Sequence, residues 1–259
     1  MHRITITVAK KKTTSPLAIL LFVLMMIMVA TAIFYYISKP KFVRYPAFGI
    51  DIPVNYSIHG IDVSHHQAGI DWEDVKAMQI KNITIGFCFI KATEGVDDED
   101  DKFSYNWRAA RKNMVTRGAY HFFNAGKSGK AQAGNFIQSV RLKPGDLPPV
   151  LDVEFIGTVT KTDLQKRVAE WLDVVESYYG VKPIIYTNAD FYKQYLEGKF
   201  DDYPLWVAHY FAKDKPRIKR EWTFWQHNEA GRVNGINTYV DFNVFNGDST
   251  SFKNLLIKK

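Results

Sequence analysis

One apolar run stands out along the chain: residues 17–37, LAILLFVLMMIMVATAIFYYI, hold no charged side chain. Its 21 residues match the ~20 that a helix needs to cross a ~30 Å hydrocarbon core. The run predicts a single N-terminal transmembrane helix, with Tyr35 and Tyr36 near one interface. Residues 1–16 then form a basic cytoplasmic leader, and the body lies on the outer side of the membrane. Ala30-Thr31-Ala32 also offers an A-x-A processing site, so secretion after signal cleavage is the alternative. Residues 38–58, with Pro40, Pro46 and Pro53, read as a linker.

From residue 59 onward, short β-rich runs alternate with helical patterns. Strands are predicted at 59–63, 84–91, 118–123, 150–154, 183–187, 205–208, 224–227 and 239–244. Ser104 is the expected cap of a helix with Trp107, Ala110, Met114 and Val115 on its apolar face, stopped at Gly118. Ala133, Phe136, Ile137 and Val140 recur at helical spacing. Leu164, Val168, Trp171, Leu172, Val175 and Tyr179 mark the clearest amphipathic helix, with a Thr162–Gln165 capping box and Gly180 as terminator. Alternating strands and helices imply an α/β fold with a parallel sheet. Eight strands suggest a closed barrel, although the body is short for a full (β/α)₈ pattern. The last three strands lack helical periodicity between them, so the barrel should end in β-rich connections.

Charge excludes one class of partner. Residues 1–50 hold seven of the 34 Lys and Arg and no Asp or Glu, so the remaining bases balance the 27 acids. The body is neutral, and the basic pI is no nucleic-acid footprint. At 46% hydrophobic and 15% aromatic, the chain can build a packed core. The lone Cys88, inside an apolar run, reads as a small buried hydrophobe.

The candidate chemistry centres on Asp152 and Glu154. Residues i and i+2 of a strand share a face about 6.6–6.8 Å apart. Carboxyls that close repel, so one pKa rises and the pair can divide into a general acid and an anionic stabiliser, as glycoside hydrolysis needs. At the C-terminal end of a barrel strand the pair would face the catalytic mouth. Asp62 closes the first strand and Asp241 lies on the last, and these strands become neighbours when a barrel closes. Phe89, Tyr120, Phe122, Tyr186, Trp206, Tyr210 and Trp225 cluster near strand ends, where aromatic faces could stack on sugar rings. His65-His66 lacks metal-ligand spacing, and Asp97–Asp101 reads as a solvated loop. No metal or cofactor is expected.

Ten motifs follow in one order: GIDVSHHQ (60–67), IDW (70–72), FIKATEG (89–95), GAYHF (118–122), LDVE (151–154), IYT (185–187), LWVAxY (205–210), WQ (225–226), GxVxGI (231–236) and VDFNxFxG (240–247). Together they resemble glycoside hydrolase family 25, the muramidases or barrel lysozymes. The resemblance implies an irregular TIM-like barrel of (β/α)₅(β)₃ type behind the N-terminal transmembrane helix. It implies cleavage of the β-1,4 bond between N-acetylmuramic acid and N-acetylglucosamine in peptidoglycan glycan strands. Glu154 would be the general acid, and Asp152 would stabilise charge or orient the substrate's acetamido group. Asp62 and Asp241 would support them. Tyr120, Tyr186, Trp206 and Trp225 match groove positions; Phe89, Tyr210 and Gln226 complete the candidate substrate contacts. A monomeric body in the periplasm or a cell-wall zone is expected. A chitin-like substrate, or a glycan-binding module with a vestigial site, are the competing readings.

Overall fold

The computed structural model describes residues 15–38 and 41–258. They fall into two compact units, the second beginning at Lys41. In the first, α1 (Pro16–Ser38) is one helix, long and apolar enough over Pro16–Tyr35 to cross a membrane. The basic leader, apart from Ser15 and Pro16, lies outside the described residues.

Residues 41–58 are not a spacer. They contain a hairpin of β1 (Phe42–Tyr45) and β2 (Ile50–Pro53), paired antiparallel. The eight predicted strands follow as β3 (His59–Val63), β4 (Ile83–Glu94), β5 (Thr116–Phe122), β6 (Val150–Asp152), β7 (Ile184–Asn188), β8 (Leu205–Ala208), β9 (Phe224–Gly231) and β10 (Val240–Phe245). Strands β3 to β9 are parallel neighbours in chain order. Strand β10 runs antiparallel to both β9 and β3 and closes the barrel. Helices α2 (Trp72–Ala77), α3 (Phe103–Lys112), α4 (Gly129–Ser139) and α5 (Lys161–Tyr179), with a short helical segment at 189–196, follow the first five barrel strands. No helix separates β8, β9 and β10.

Two expected helix starts shift. Ser104 lies inside α3, which begins at Phe103 after a turn in which Asp100 accepts bonds from the Lys102 and Phe103 amides. Met114, expected on the apolar face, is past the end of α3 in a left-handed turn and is exposed. Helix α5 is capped by Thr160, whose hydroxyl accepts from the Asp163 amide, while Gln165 donates instead to the Tyr195 carbonyl. Gly180 does end α5, in the left-handed conformation (φ 70°) that favours glycine. Asp71 caps α2, which the hydrophobic pattern was too short to reveal.

Inside the barrel, two phenylalanines of β4 meet glycines on both flanking strands. Phe87 is in register with Gly60 and Phe89 with Gly118. A Cβ at either glycine would come within 2.5 Å of the opposing ring. The rings therefore lie flat across neighbouring backbone and fill the interior. Phe224, Phe245 and Phe252 of the C-terminal α6 (Ser249–Leu255) complete this apolar floor, with ring centroids 5.1–5.8 Å apart.

The hairpin covers the helix-free flank. Phe42 meets Trp225 edge-on at 5.9 Å, and Phe48 meets Phe242 at 5.3 Å. The Phe48 carbonyl accepts from the Arg232 amide, and Phe48, Ile50 and Ile52 are buried. Three prolines suggested a spacer, but the alternating apolar residues between them build an outer layer where helices are missing. Phe48→Ala should cost about 3–5 kcal/mol, seen as a lower urea midpoint for the barrel body with unchanged slope. Val54→Ala, at an exposed position, should shift it by less than about 1 kcal/mol.

Candidate active site

Side chains alternate across a strand, so every second residue of the barrel faces inward. Above the phenylalanine floor this alternation delivers polar groups: Asp62 from β3, Lys91 from β4, Tyr120 from β5, Asp152 from β6, Tyr186 from β7, Gln226 from β9 and Asp241 from β10. Glu154 follows two residues after Asp152, just past the end of β6. All of these, with Trp206 and Tyr210, line one cavity of about 260 Å³. The closing strand puts Asp241 directly in register with Asp62.

A hydrogen-bond network fixes Asp62. Its Oδ2 accepts from Gln226 Nε2 at 2.8 Å and from Asn243 Nδ2 at 2.7 Å. Gln226 is oriented by two phenols, since Tyr186 and Tyr210 both donate to its Oε1, at 2.7 and 2.8 Å. Trp206 Nε1 donates to Asn243 Oδ1 at 2.8 Å and orients that amide likewise. Asp152 is held differently: its Oδ1 is buried with no hydrogen-bond partner among the described residues.

Burial, acting on acids that repel one another, raises all four carboxyls. Asp62 is pushed up to about 6, mainly by burial, with its two amide donors opposing the rise. Burial, then Asp62, Glu229 and Glu154, push Asp241 up to about 9. Burial, then Glu154 and Asp62, hold Asp152 well above the usual range. Burial raises Glu154 while hydrogen bonding with Tyr186 opposes it. Such a cup cannot carry four charges; it retains protons near neutral pH and can donate one.

The model of glycosyl hydrolases family 25 matches residues 61–236. The chain belongs to this family. Lysozyme M1 of Streptomyces globisporus is 35% identical over 207 residues, 74% of this chain and 69% of that protein. YegX of Escherichia coli K12 is 50% identical over 201 residues, 78% of this chain and 74% of that one. The structure of a family 25 glycosyl hydrolase from Bacillus anthracis aligns with a TM-score of 0.73 and 34% identity, covering 80% of this chain and 96% of that chain. This family 25 chain is a glycosidase of the lysozyme kind. Asp241 and Asn243 lie past the matched segment, yet β10 returns Asp241 to the cavity and Asn243 to Asp62.

Two residues expected in the sugar groove of this family 25 hydrolase are elsewhere. Trp225 sits between inward Phe224 and Gln226, so alternation turns it outward; it is buried under Phe42 and Tyr56 and donates to the His209 carbonyl. Phe89 faces inward but one layer too low, stacked at 4.3 Å beneath Trp206. The acidic loop is only partly solvated: Asp100 is buried and accepts from the His65 amide at 2.9 Å, with its ring nitrogen at 2.8 Å. Asn243 and Lys91 are site residues that the sequence reading did not single out. Asn243 lies two positions from Asp241, the same-face spacing, and Lys91 is a charge ending an apolar strand.

Raised acid pKa values make folded protein bind protons more tightly than unfolded protein. The contribution of these two acids to stability is then greatest at low pH and falls as pH rises, between ~4 and about 6 for Asp62 and between ~4 and about 9 for Asp241. Asp241→Asn should therefore raise Tm at pH 8 by about 2–8 °C, equivalent to roughly 1–2 kcal/mol. At pH 4 the same variant should melt with the parent; equal shifts at both pH values would contradict this electrostatic origin.

Proposed function

We propose that this glycosidase cuts peptidoglycan glycan strands internally, at the β-1,4 bond between N-acetylmuramic acid and N-acetylglucosamine. Its scaffold is read as the irregular (β/α)₅(β)₃ barrel. The observation that carries the reading is the unlike state of two neighbouring carboxyls in one cavity: Asp152 buried with a free oxygen, Glu154 more accessible and beside Tyr186.

Glu154, its pKa raised by burial, acts as general acid and protonates the leaving glycosidic oxygen as the C1–O bond breaks. Asp152 accepts the N–H of the substrate's 2-acetamido group, whose carbonyl oxygen bonds to C1. Glu154, now a carboxylate, takes a proton from water; that water bonds to C1, releases the acetamido oxygen and retains configuration. Burial presses harder on Asp152 than on Glu154, but the acetamido N–H supplies the donor that Asp152 Oδ1 lacks. Asp62 and Asp241 act as supports, and Tyr120, Tyr186, Trp206, Tyr210 and Gln226 contact the sugar. Direct charge stabilisation by Asp152, without acetamido participation, gives the same product.

Helix α1 supports a reading in which the body is exported on a single-pass anchor, with the barrel on the outer, periplasmic or wall-facing side. Cleavage after Ala32 would instead release it. N-terminal sequencing of the mature protein distinguishes the two, an intact N-terminus being expected.

Glu154→Gln should lower the release of reducing ends from purified peptidoglycan by about 10²–10⁴-fold while the thermal transition persists. Mass analysis of parent digests should find N-acetylmuramic acid at the reducing end. N-acetylglucosamine there, faster cleavage of chitin, or full activity of Glu154→Gln would reject the reading.

A further inference from the structure

The cavity that gathers four carboxyls has one Lys or Arg among its lining residues, Lys91. Its Nζ donates to Glu94 Oε2 at 2.6 Å and stands 5.1 Å from the centroid of the Phe122 ring. The side chain is 13% exposed, against 41% for that of Glu94, so the pair runs from the cavity wall toward its rim.

An irregularity in β4 makes this pair. In a regular strand residues 91 and 94 point to opposite faces. Against β5, however, Lys91 is in register with Tyr120 and Thr93 with His121, so Ala92 is an extra residue. The bulge sends Thr93 outward, where its Oγ1 lies 2.7 Å from His121 Nδ1, and returns Glu94 to the side of Lys91. Bulges beside active sites commonly re-aim a side chain in this way. Here the bulge places a negative charge on the cation of an acid-lined cup.

We propose that Lys91, which lines the same cavity as Asp152, is a positioning residue for the hydrolytic reaction, offsetting the cost of a carboxylate at Asp152 when it takes the substrate's amide group, and that Glu94 moderates how strongly it does so. The inference rests on the role given to Asp152 under Proposed function. The charges facing Asp152 come from several strands: Glu154 beyond β6, Asp62 on β3, and Lys91 and Glu94 on β4. Of these groups Lys91 favours its ionised form, whereas Glu154, Asp62, Glu94 and burial favour the protonated one. The phenols of Tyr120 and Tyr186 also face Asp152, and burial keeps both neutral. Lys91 itself faces Glu94 and Asp152 within the barrel and His121 through the sheet, and burial keeps that imidazole uncharged near neutral pH.

The two charges pull in opposite directions, so their removal should do the same. With the full chain and purified peptidoglycan, Lys91→Met should move the acid limb of the kcat/KM profile up by about one pH unit or more. Activity should recover toward the parent value above the displaced limb. Glu94→Gln should move the limb down, and Lys91→Arg, which retains the charge, should leave it in place. Loss of activity in Lys91→Met at every pH with the limb unmoved, or both variants shifting the limb the same way, overturns the proposal. If Lys91→Met does not fold, the downward shift in the more exposed Glu94→Gln still decides it. Retained activity in Glu154→Gln would instead sink the underlying reading of the reaction, whatever the Lys91 variants do.

Discussion

The antiparallel pairing of β10 with β3 is the contact on which the barrel and its site depend. The other barrel strands run in one direction and could form an open twisted sheet with two unpaired edges. Closure removes those edges and fixes the register in which Asp241 faces Asp62 and Asn243 faces Gly60. Like charges directly opposite each other are unfavourable. The fold tolerates them because the amides of Asn243 and Gln226 hold Asp62, and burial keeps protons on part of the cluster.

Beneath this ring the phenylalanine floor does two things at once. Rings lying over Gly60 and Gly118 set an apolar layer below the carboxyls, and they support Trp206, which stacks on Phe89 and orients Asn243. A chain of contacts thus leads from packing to electrostatics: phenylalanine over glycine, tryptophan over phenylalanine, amide to carboxylate. The apolar floor also explains why burial leads the causes of each upward pKa shift. Polar groups lie above, apolar groups below, and the boundary falls between Phe89 and Lys91 on one strand.

Much of this was legible in the sequence because strand periodicity is a local property. All eight barrel strands and the neighbouring first and last strands follow from runs of a few residues, although the sixth strand stops at Asp152 and Glu154 reaches the cavity from just beyond it. Depth along a strand and the side on which a residue emerges are less legible. Phe89 and Trp225 show both failures, one a layer too low and the other turned outward by a single position. The bulge at Ala92 is a third case, since only the register against β5 reveals that Glu94 joins Lys91. The hairpin was missed for a different reason: prolines and a lack of helical period mark a spacer and a short edge hairpin alike, and only its burial against Trp225 and Phe242 separates them.

That hairpin alters what counts as the inheritable piece of this protein. The family match starts at Ile61 and ends at Ile236, but the folded body begins some twenty residues earlier and continues through α6. A recombination or gene fusion cut at the family boundary would carry Asp152 and Glu154 away without Asp241, without the Phe252 plug and with the flank of β9 and β10 stripped. The portable module is the layered barrel with both of its covers. A new N-terminal partner, whether an anchor or another domain, can be joined without damage only ahead of Lys41.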